Sequence, residues 1–232
     1  MTSPTASPTE APIPLNDELD LPGPEDRGDA LTKELRDSLT PDMVLALGKR
    51  GNERFFTGQP RKRDFLRELR ASAAGQFPAA IVLSCVDSRV PAEVVLDVGI
   101  GDIFTARLAG FVVNEDTLGS MEFACQVAGA KLVLVLGHTS CGAVKGAIEG
   151  VEFGNLTALL AKIRPAIDAT VFDGERTSEN PAFVDAVART HVARSVALIR
   201  EQSPVLRDLE RSGRIRIVES MYDLSTGRID FG

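Results

Sequence analysis

No uninterrupted apolar run in these 232 residues approaches the roughly 20 residues that a membrane-spanning helix requires. The first thirty residues also lack the basic opening and apolar middle of a secretory signal. The expectation is a soluble, cytoplasmic protein without a membrane span. Cysteine is scarce: Cys85, Cys125 and Cys141 cannot all pair with one another. Inside a cell thiols stay reduced, which favours metal or catalytic roles over disulfides. Histidine is scarcer still, with only His138 and His191. No cluster of Lys and Arg interleaved with aromatics appears, which argues against a nucleic-acid partner. Gly99-Ile100-Gly101-Asp102 lacks the spacing and the Lys-Ser/Thr of a phosphate loop, so nucleotide binding is not expected and turn formation accounts for these glycines. No internal repeat is found.

What is present is unevenly divided. Residues 1–30 hold six of the thirteen prolines, no aromatic residue, and seven acids against Arg27 alone. That gives the segment a net charge of −6 out of −7 and leaves −1 for residues 31–232. Having no hydrophobic periodicity, residues 1–30 read as a disordered, acidic, Pro-rich arm. Residues 31–232 are long enough to bury one substantial core and are expected to form one domain.

Thr40 can cap a helix, Pro41 suits its first position, Asp42 favours its positive end, and Val44, Leu47 and Phe55 recur near a helical period. A second helix is expected over Asp64–Ala74. Ala79–Val86 is a continuous apolar run suited to a strand buried on both faces. Similar runs occur at Ile103–Ala106, Leu132–Gly137 and Ile215–Glu219. Between them Asp116–Ala128, Cys141–Glu149, Leu156–Ala169 and Pro181–Gln202 read as helices. This alternation predicts an α/β fold with a mostly parallel central sheet of about four strands flanked by helices. The Tyr222–Phe231 tail, with a turn at Ser225–Gly227, can add an antiparallel edge strand.

Two segments carry the chemistry. Ser84-Cys85-Val86-Asp87-Ser88-Arg89 leaves the first strand, and if it stays extended the period of two places Cys85, Asp87 and Arg89 on one side. Gly137-His138-Thr139-Ser140-Cys141-Gly142 leaves the third strand through a turn into a helix, so His138 and Cys141 can converge. Both lie at C-terminal ends of parallel strands, where open sheets place their sites. Two thiolates and an imidazole suit zinc better than magnesium or calcium. Three protein ligands leave a fourth position for water, whose pKa zinc lowers to roughly 7. Asp87 could become the fourth ligand and close the site, or be held back by Arg89 and accept a hydrogen bond from the nucleophile.

Cys85-x-Asp87-x-Arg89, followed about fifty residues later by His138-x-x-Cys141-Gly142, resembles the β-class carbonic anhydrases. Gly101–Phe104, Arg107–Gly110, Gly119–Ala124 and Tyr222–Gly227 extend the resemblance to roughly residues 40–231. It implies a parallel four-stranded core and self-association as a dimer or larger oligomer with active sites at subunit interfaces. The activity implied is reversible hydration of carbon dioxide to bicarbonate by zinc-bound hydroxide, with one Zn2+ per subunit. Carried over by position, Cys85, His138 and Cys141 are the permanent zinc ligands and Asp87 with Arg89 the catalytic dyad. Gln76, Phe104, Phe123 and Gly142 line the substrate pocket. The family usually has Asn where this sequence has Leu108 and Phe111, a departure that bears on hydrogen bonding beside the pocket.

Carbonyl sulfide or carbon disulfide hydrolysis would use the same ligands. A bicarbonate-sensing or scaffolding protein with a closed structural zinc site is the reading from another class, and the intact Asp87–Arg89 pair argues against it. Cys125 reads as core packing. His191 lies mid-helix, where a solvated or interface histidine is the default and a proton-shuttle role is conceivable.

Overall fold

The computed structural model describes residues 30–232. The expected acidic arm, apart from Ala30, lies outside the described residues. Five strands, β1 (Ala80–Ser84), β2 (Ile103–Arg107), β3 (Leu132–His138), β4 (Arg216–Tyr222) and β5 (Ile229–Phe231), form one sheet in the order β2-β1-β3-β4-β5. The first four run parallel, and β5 pairs antiparallel with β4. Every residue of β1 and β3 is buried, as continuous apolar runs between two helical layers require.

Alternation along the strands separates two cores. Ile81, Leu83, Val133, Val135 and Ile217 face one side. There they meet α5 (Glu115–Glu122), α6 (Gly142–Glu149), α7 (Gly154–Ala161), α8 (Arg164–Ala169), α9 (Pro181–Gln202) and α10 (Pro204–Arg211). Ala80, Val82, Leu132, Leu134 and Val218 face the other side. That side is covered by α1 (Lys33–Ser38), α2 (Pro41–Phe56) and α4 (Ala92–Val95). The remaining helix, α3 (Phe65–Ser72), precedes β1.

The caps follow the sequence. Thr40 accepts from the Met43 amide at the start of α2, with Pro41 in the first turn, and Asp64 accepts from the Arg67 amide to open α3. Several expectations are corrected. The helix expected over Leu156–Ala169 is two helices, because Pro165 has no N–H for the Ala161 carbonyl and its ring crowds it. The helix expected over Asp116–Ala128 widens after Glu122 into a π-helical turn, Phe123–Val127. Tyr222 closes β4 rather than opening the tail strand, which is confined to Ile229–Phe231. The short helices α1, α4 and α10 were not anticipated.

From β1 the chain moves outward to β2, and from β3 it moves the other way to β4. The order therefore reverses between the adjacent strands β1 and β3. Side chains just beyond the C-terminal ends of those two strands share the crevice in which open parallel sheets bind ligands. Cys85 follows β1 directly, and His138 ends β3.

Candidate metal centre

The turn after β3 brings the second cysteine back to the first. The Thr139 amide donates to the Tyr222 carbonyl at 2.9 Å, and Thr139 Oγ1 accepts from the Leu224 amide at 3.0 Å. Ser140 adopts a left-handed φ of 53°, and its amide donates to Asp185 Oδ1 of α9 at 2.8 Å. Cys141 then caps α6. The ligand atoms of Cys85, His138 and Cys141 lie within 4.8 Å of one another, and all three residues are buried. His138 Nδ1 lies 2.9 Å from the Thr139 carbonyl, an acceptor only, so Nδ1 carries the proton and Nε2 the lone pair. That Nε2 is buried and has no hydrogen-bond partner among the described residues. A buried ring nitrogen facing two sulfurs with its lone pair unused is a ligand set for a soft divalent metal.

The electrostatics agree with this. A hydrogen bond from Cys141 holds the Cys85 thiol far below its usual range, with help from the Asp87 and Gly110 amides against opposing burial. The same contact with Cys85, together with burial, pushes Cys141 upward, opposed by the Val144 and Ala143 amides at the start of α6.

Asp87 and Arg89 meet, but not by strand alternation. β1 ends at Ser84, and the Val90 amide bonds to the Asp87 carbonyl at 3.1 Å, so the chain turns instead of staying extended. Asp87 Oδ1 accepts from the Arg89 amide at 2.9 Å, the self-turning bond typical of Asp. Arg89 Nε and Nη2 then grip the two carboxylate oxygens at 2.9 and 2.8 Å. This bidentate pairing holds the Asp87 carboxyl down at about 2. Asp87 lies outside the group formed by Cys85, His138 and Cys141.

Arg107 has no role in the sequence pattern beyond its place in the Arg107–Gly110 motif. At the end of β2 it pairs in register with Ser84. Its Nε donates to the Cys85 carbonyl at 3.0 Å and its Nη2 to the Asp87 carbonyl at 2.7 Å. Arg107 thus fixes the backbone that carries both Cys85 and the acid. Parallel pairing of β1 with β2 was the signal that could have revealed it.

The pocket positions are only partly assembled. Phe104 on β2 and the half-exposed Phe123 meet edge to face, with ring centroids 6.0 Å apart. Gly142 opens α6 next to Cys141, and a Cβ there would meet nothing within 4 Å. Gln76 is exposed and lies before β1, at the opposite end of that strand from Cys85. Five residues at about 3.3 Å each separate them by roughly 16 Å, and one chain does not bring them together. A cavity of about 70 Å³ lined by Val44, Leu45, Val82, Leu96 and Leu134 belongs to the core on the other face of the sheet and is not part of this centre.

Cys125 is buried, and burial pushes its thiol up to about 12, in keeping with core packing. His191 departs from the expected solvated setting. It is 3% exposed, its ring lies 4.9 Å from that of the fully buried Phe111, and its Nε2 is 3.0 Å from the Gly110 carbonyl.

Against this geometry, comparison with known proteins is consistent. The protein family described as carbonic anhydrase matches residues 80–229. "Carbonic anhydrase 2" of Mycobacterium tuberculosis is 37% identical over 182 residues, covering 78% of this chain and 87% of its own length. The carbonic anhydrase of Mycolicibacterium smegmatis is 36% identical over 184 residues, covering 78% and 88%. Among solved structures, a tetrameric β-carbonic anhydrase from Sordaria macrospora superposes with a TM-score of 0.62 at 24% identity, covering 70% of this chain and 84% of that one.

Proposed function

The chain belongs to the β-class carbonic anhydrase family, and from that premise we propose that it hydrates carbon dioxide reversibly to bicarbonate and a proton, using one Zn2+ per subunit held by Cys85, His138 and Cys141. The observation that carries this reading is the lone pair of His138 Nε2, buried without a partner and facing two sulfurs. Zinc bound there would lower the pKa of a coordinated water to roughly 7 and so supply hydroxide at neutral pH.

The residues around the centre divide the remaining work. Asp87, locked by Arg89 and ionised at any working pH, is an acceptor that orients the nucleophile's proton and leaves a lone pair for the substrate carbon. Phe104 and Phe123 supply an apolar wall suited to an uncharged, nonpolar substrate. Gly142 supplies an amide beside Cys141. Closing the centre with Asp87 as a fourth ligand would set the metal in competition with Arg89 for the carboxylate.

Self-association supports the same site. In α3 the buried residue is Glu68, 1% exposed, while Phe65, Leu66 and Leu69 face outward at 57%, 63% and 52%. A helix turned inside out in this way is the mark of a surface covered by another chain. Docking a second copy would also offer Gln76, which follows α3, to a centre that its own chain cannot reach. The thiolate ligands need a reducing compartment, in keeping with a cytoplasmic setting. No helix among the described residues is long and apolar enough to cross a membrane.

The deciding experiment is stopped-flow carbon dioxide hydration against pH on the zinc-loaded protein, with carbonyl sulfide assayed in parallel. Rapid hydration that rises with pH is expected. No hydration despite stoichiometric zinc would sink the reading, and turnover of carbonyl sulfide alone would move it to sulfur-substrate hydrolysis.

A further inference from the structure

Gly110 is engaged through both of its backbone polar groups, which belong to the two peptides flanking its Cα. Its N–H donates to Cys85 Sγ at 3.3 Å, and its carbonyl lies 3.0 Å from His191 Nε2. A carbonyl only accepts, so Nε2 carries the proton. Burial holds the imidazole pKa down at about 4, which keeps the ring neutral and the N–H in place at working pH.

The loop that presents this peptide is held against its own preferences. Gly110 and Phe111 both adopt left-handed backbone, with φ of 64° and 43°, and for Phe111 that conformation persists only where its surroundings enforce it. His191 is part of the enforcement, since its ring packs on the Phe111 ring while its N–H takes the preceding carbonyl. A Cβ on Gly110 would come within 2.6 Å of Ile163 Cδ1 and 3.2 Å of Ala143 Cβ, so the position favours glycine for space as well as for its backbone. The amide that owns the Gly110 carbonyl is held at its other end as well, since the Phe111 N–H donates to the Leu108 carbonyl at 2.8 Å.

We propose that His191 is a positioning residue for the metal centre: by holding the Gly110 carbonyl it anchors the residue whose N–H, on the preceding peptide, donates to Cys85 Sγ, and so determines how firmly that sulfur holds the metal. This rests on the zinc reading above.

The test compares His191→Phe and His191→Leu, which remove the donor, with His191→Gln, which restores an N–H near the Nε2 position. Zinc affinity is measured by competition with a chelator, and the thiolate-to-metal charge-transfer band is recorded on the Co(II)-loaded protein. Loss of the donor is expected to weaken zinc binding about 10- to 100-fold and to move the band to lower energy, while His191→Gln stays near wild type in both. Folded Phe or Leu variants with wild-type affinity and an unmoved band would overturn the proposal. If those two fail to fold while His191→Gln folds and binds zinc normally, the donor requirement is upheld. If all three fail to fold, His191 is a core residue only and the proposal falls. Failure of the wild-type chain to bind zinc would instead overturn the underlying reading of the centre.

Discussion

Cys85 and Cys125 are both buried, yet their surroundings drive them in opposite directions. Cys85 accepts hydrogen bonds from Cys141 and from backbone amides, which hold its thiol far below the usual range. Cys125 has only desolvation and is pushed up to about 12. Since the thiolate is the reacting form, iodoacetamide added at pH 7 after chelation is expected to label Cys85 and to leave Cys125 untouched. Bound zinc should protect Cys85, and peptide mass spectrometry would show the pattern. Labelling of Cys125 first would contradict it. His191 makes a second prediction at this scale. Its folded pKa, about 4, lies below the ordinary 6.5, so the unfolded chain binds the extra proton. Its contribution to stability is complete above pH 6.5 and fades as pH falls toward 4. The wild type should lose about 3 kcal/mol over that window that His191→Gln does not lose, as read from urea midpoints under matched metal loading. At the dyad, Arg89→Ala removes both side-chain bonds that fix Asp87. A fall in kcat of about 10- to 100-fold is expected with zinc content unchanged. Full activity with the wild-type pH profile would remove the dyad from the mechanism.

Elements explain why parts of this were legible in the sequence. β1 and β3 are buried on both faces and so appear as unbroken apolar runs, and the reversal of strand order sets Cys85 beside His138. Cys85-x-Asp87-x-Arg89 and His138-x-x-Cys141 are local patterns, readable without knowing what packs on them. What stayed hidden depends on distant neighbours. His191 and Gly110 are 81 residues apart, and no local spacing announces their contact. Arg107 reaches Cys85 only because β2 pairs in register with β1. The Asp87 turn replaced the expected extended segment because a side-chain bond to the next backbone amide but one competes with the strand. Gly137 shows the same dependence within β3. A Cβ there would collide with Val192 of α9 and come within 3.0 Å of Met221 Sδ and 3.3 Å of Phe111 Cζ. Gly137→Ala is therefore expected to destabilise the fold by about 1–3 kcal/mol, seen as a lower urea midpoint with an unchanged slope. A neutral outcome would mean that α9 can move away from the strand without cost.

At the scale of the whole molecule, the inverted polarity of α3 needs the most explanation. Glu68 is turned inward because Arg63 Nη1, at 3.2 Å, and the Ile100 amide, at 2.9 Å, satisfy its carboxylate. Phe65, Leu66 and Leu69 are thereby left on the surface. Exposing three large apolar side chains on two turns of helix is unfavourable in water and becomes favourable once a second copy covers them. In the proposed assembly Gln76, exposed at the far end of β1 from Cys85, would be offered to the centre of the second copy. These two observations join into one expectation. Leu66→Glu with Leu69→Glu should shift the protein to a monomer in sedimentation velocity. The zinc content should stay at the wild-type level, since Cys85, His138 and Cys141 all come from one chain. Hydration should fall together with the loss of the larger species, and Gln76→Ala should lower activity without changing the sedimentation coefficient. A fully active monomer would show that each chain completes its own pocket and would remove both α3 and Gln76 from the site. An inactive monomer that keeps its zinc would place the metal within one chain and the working pocket between two.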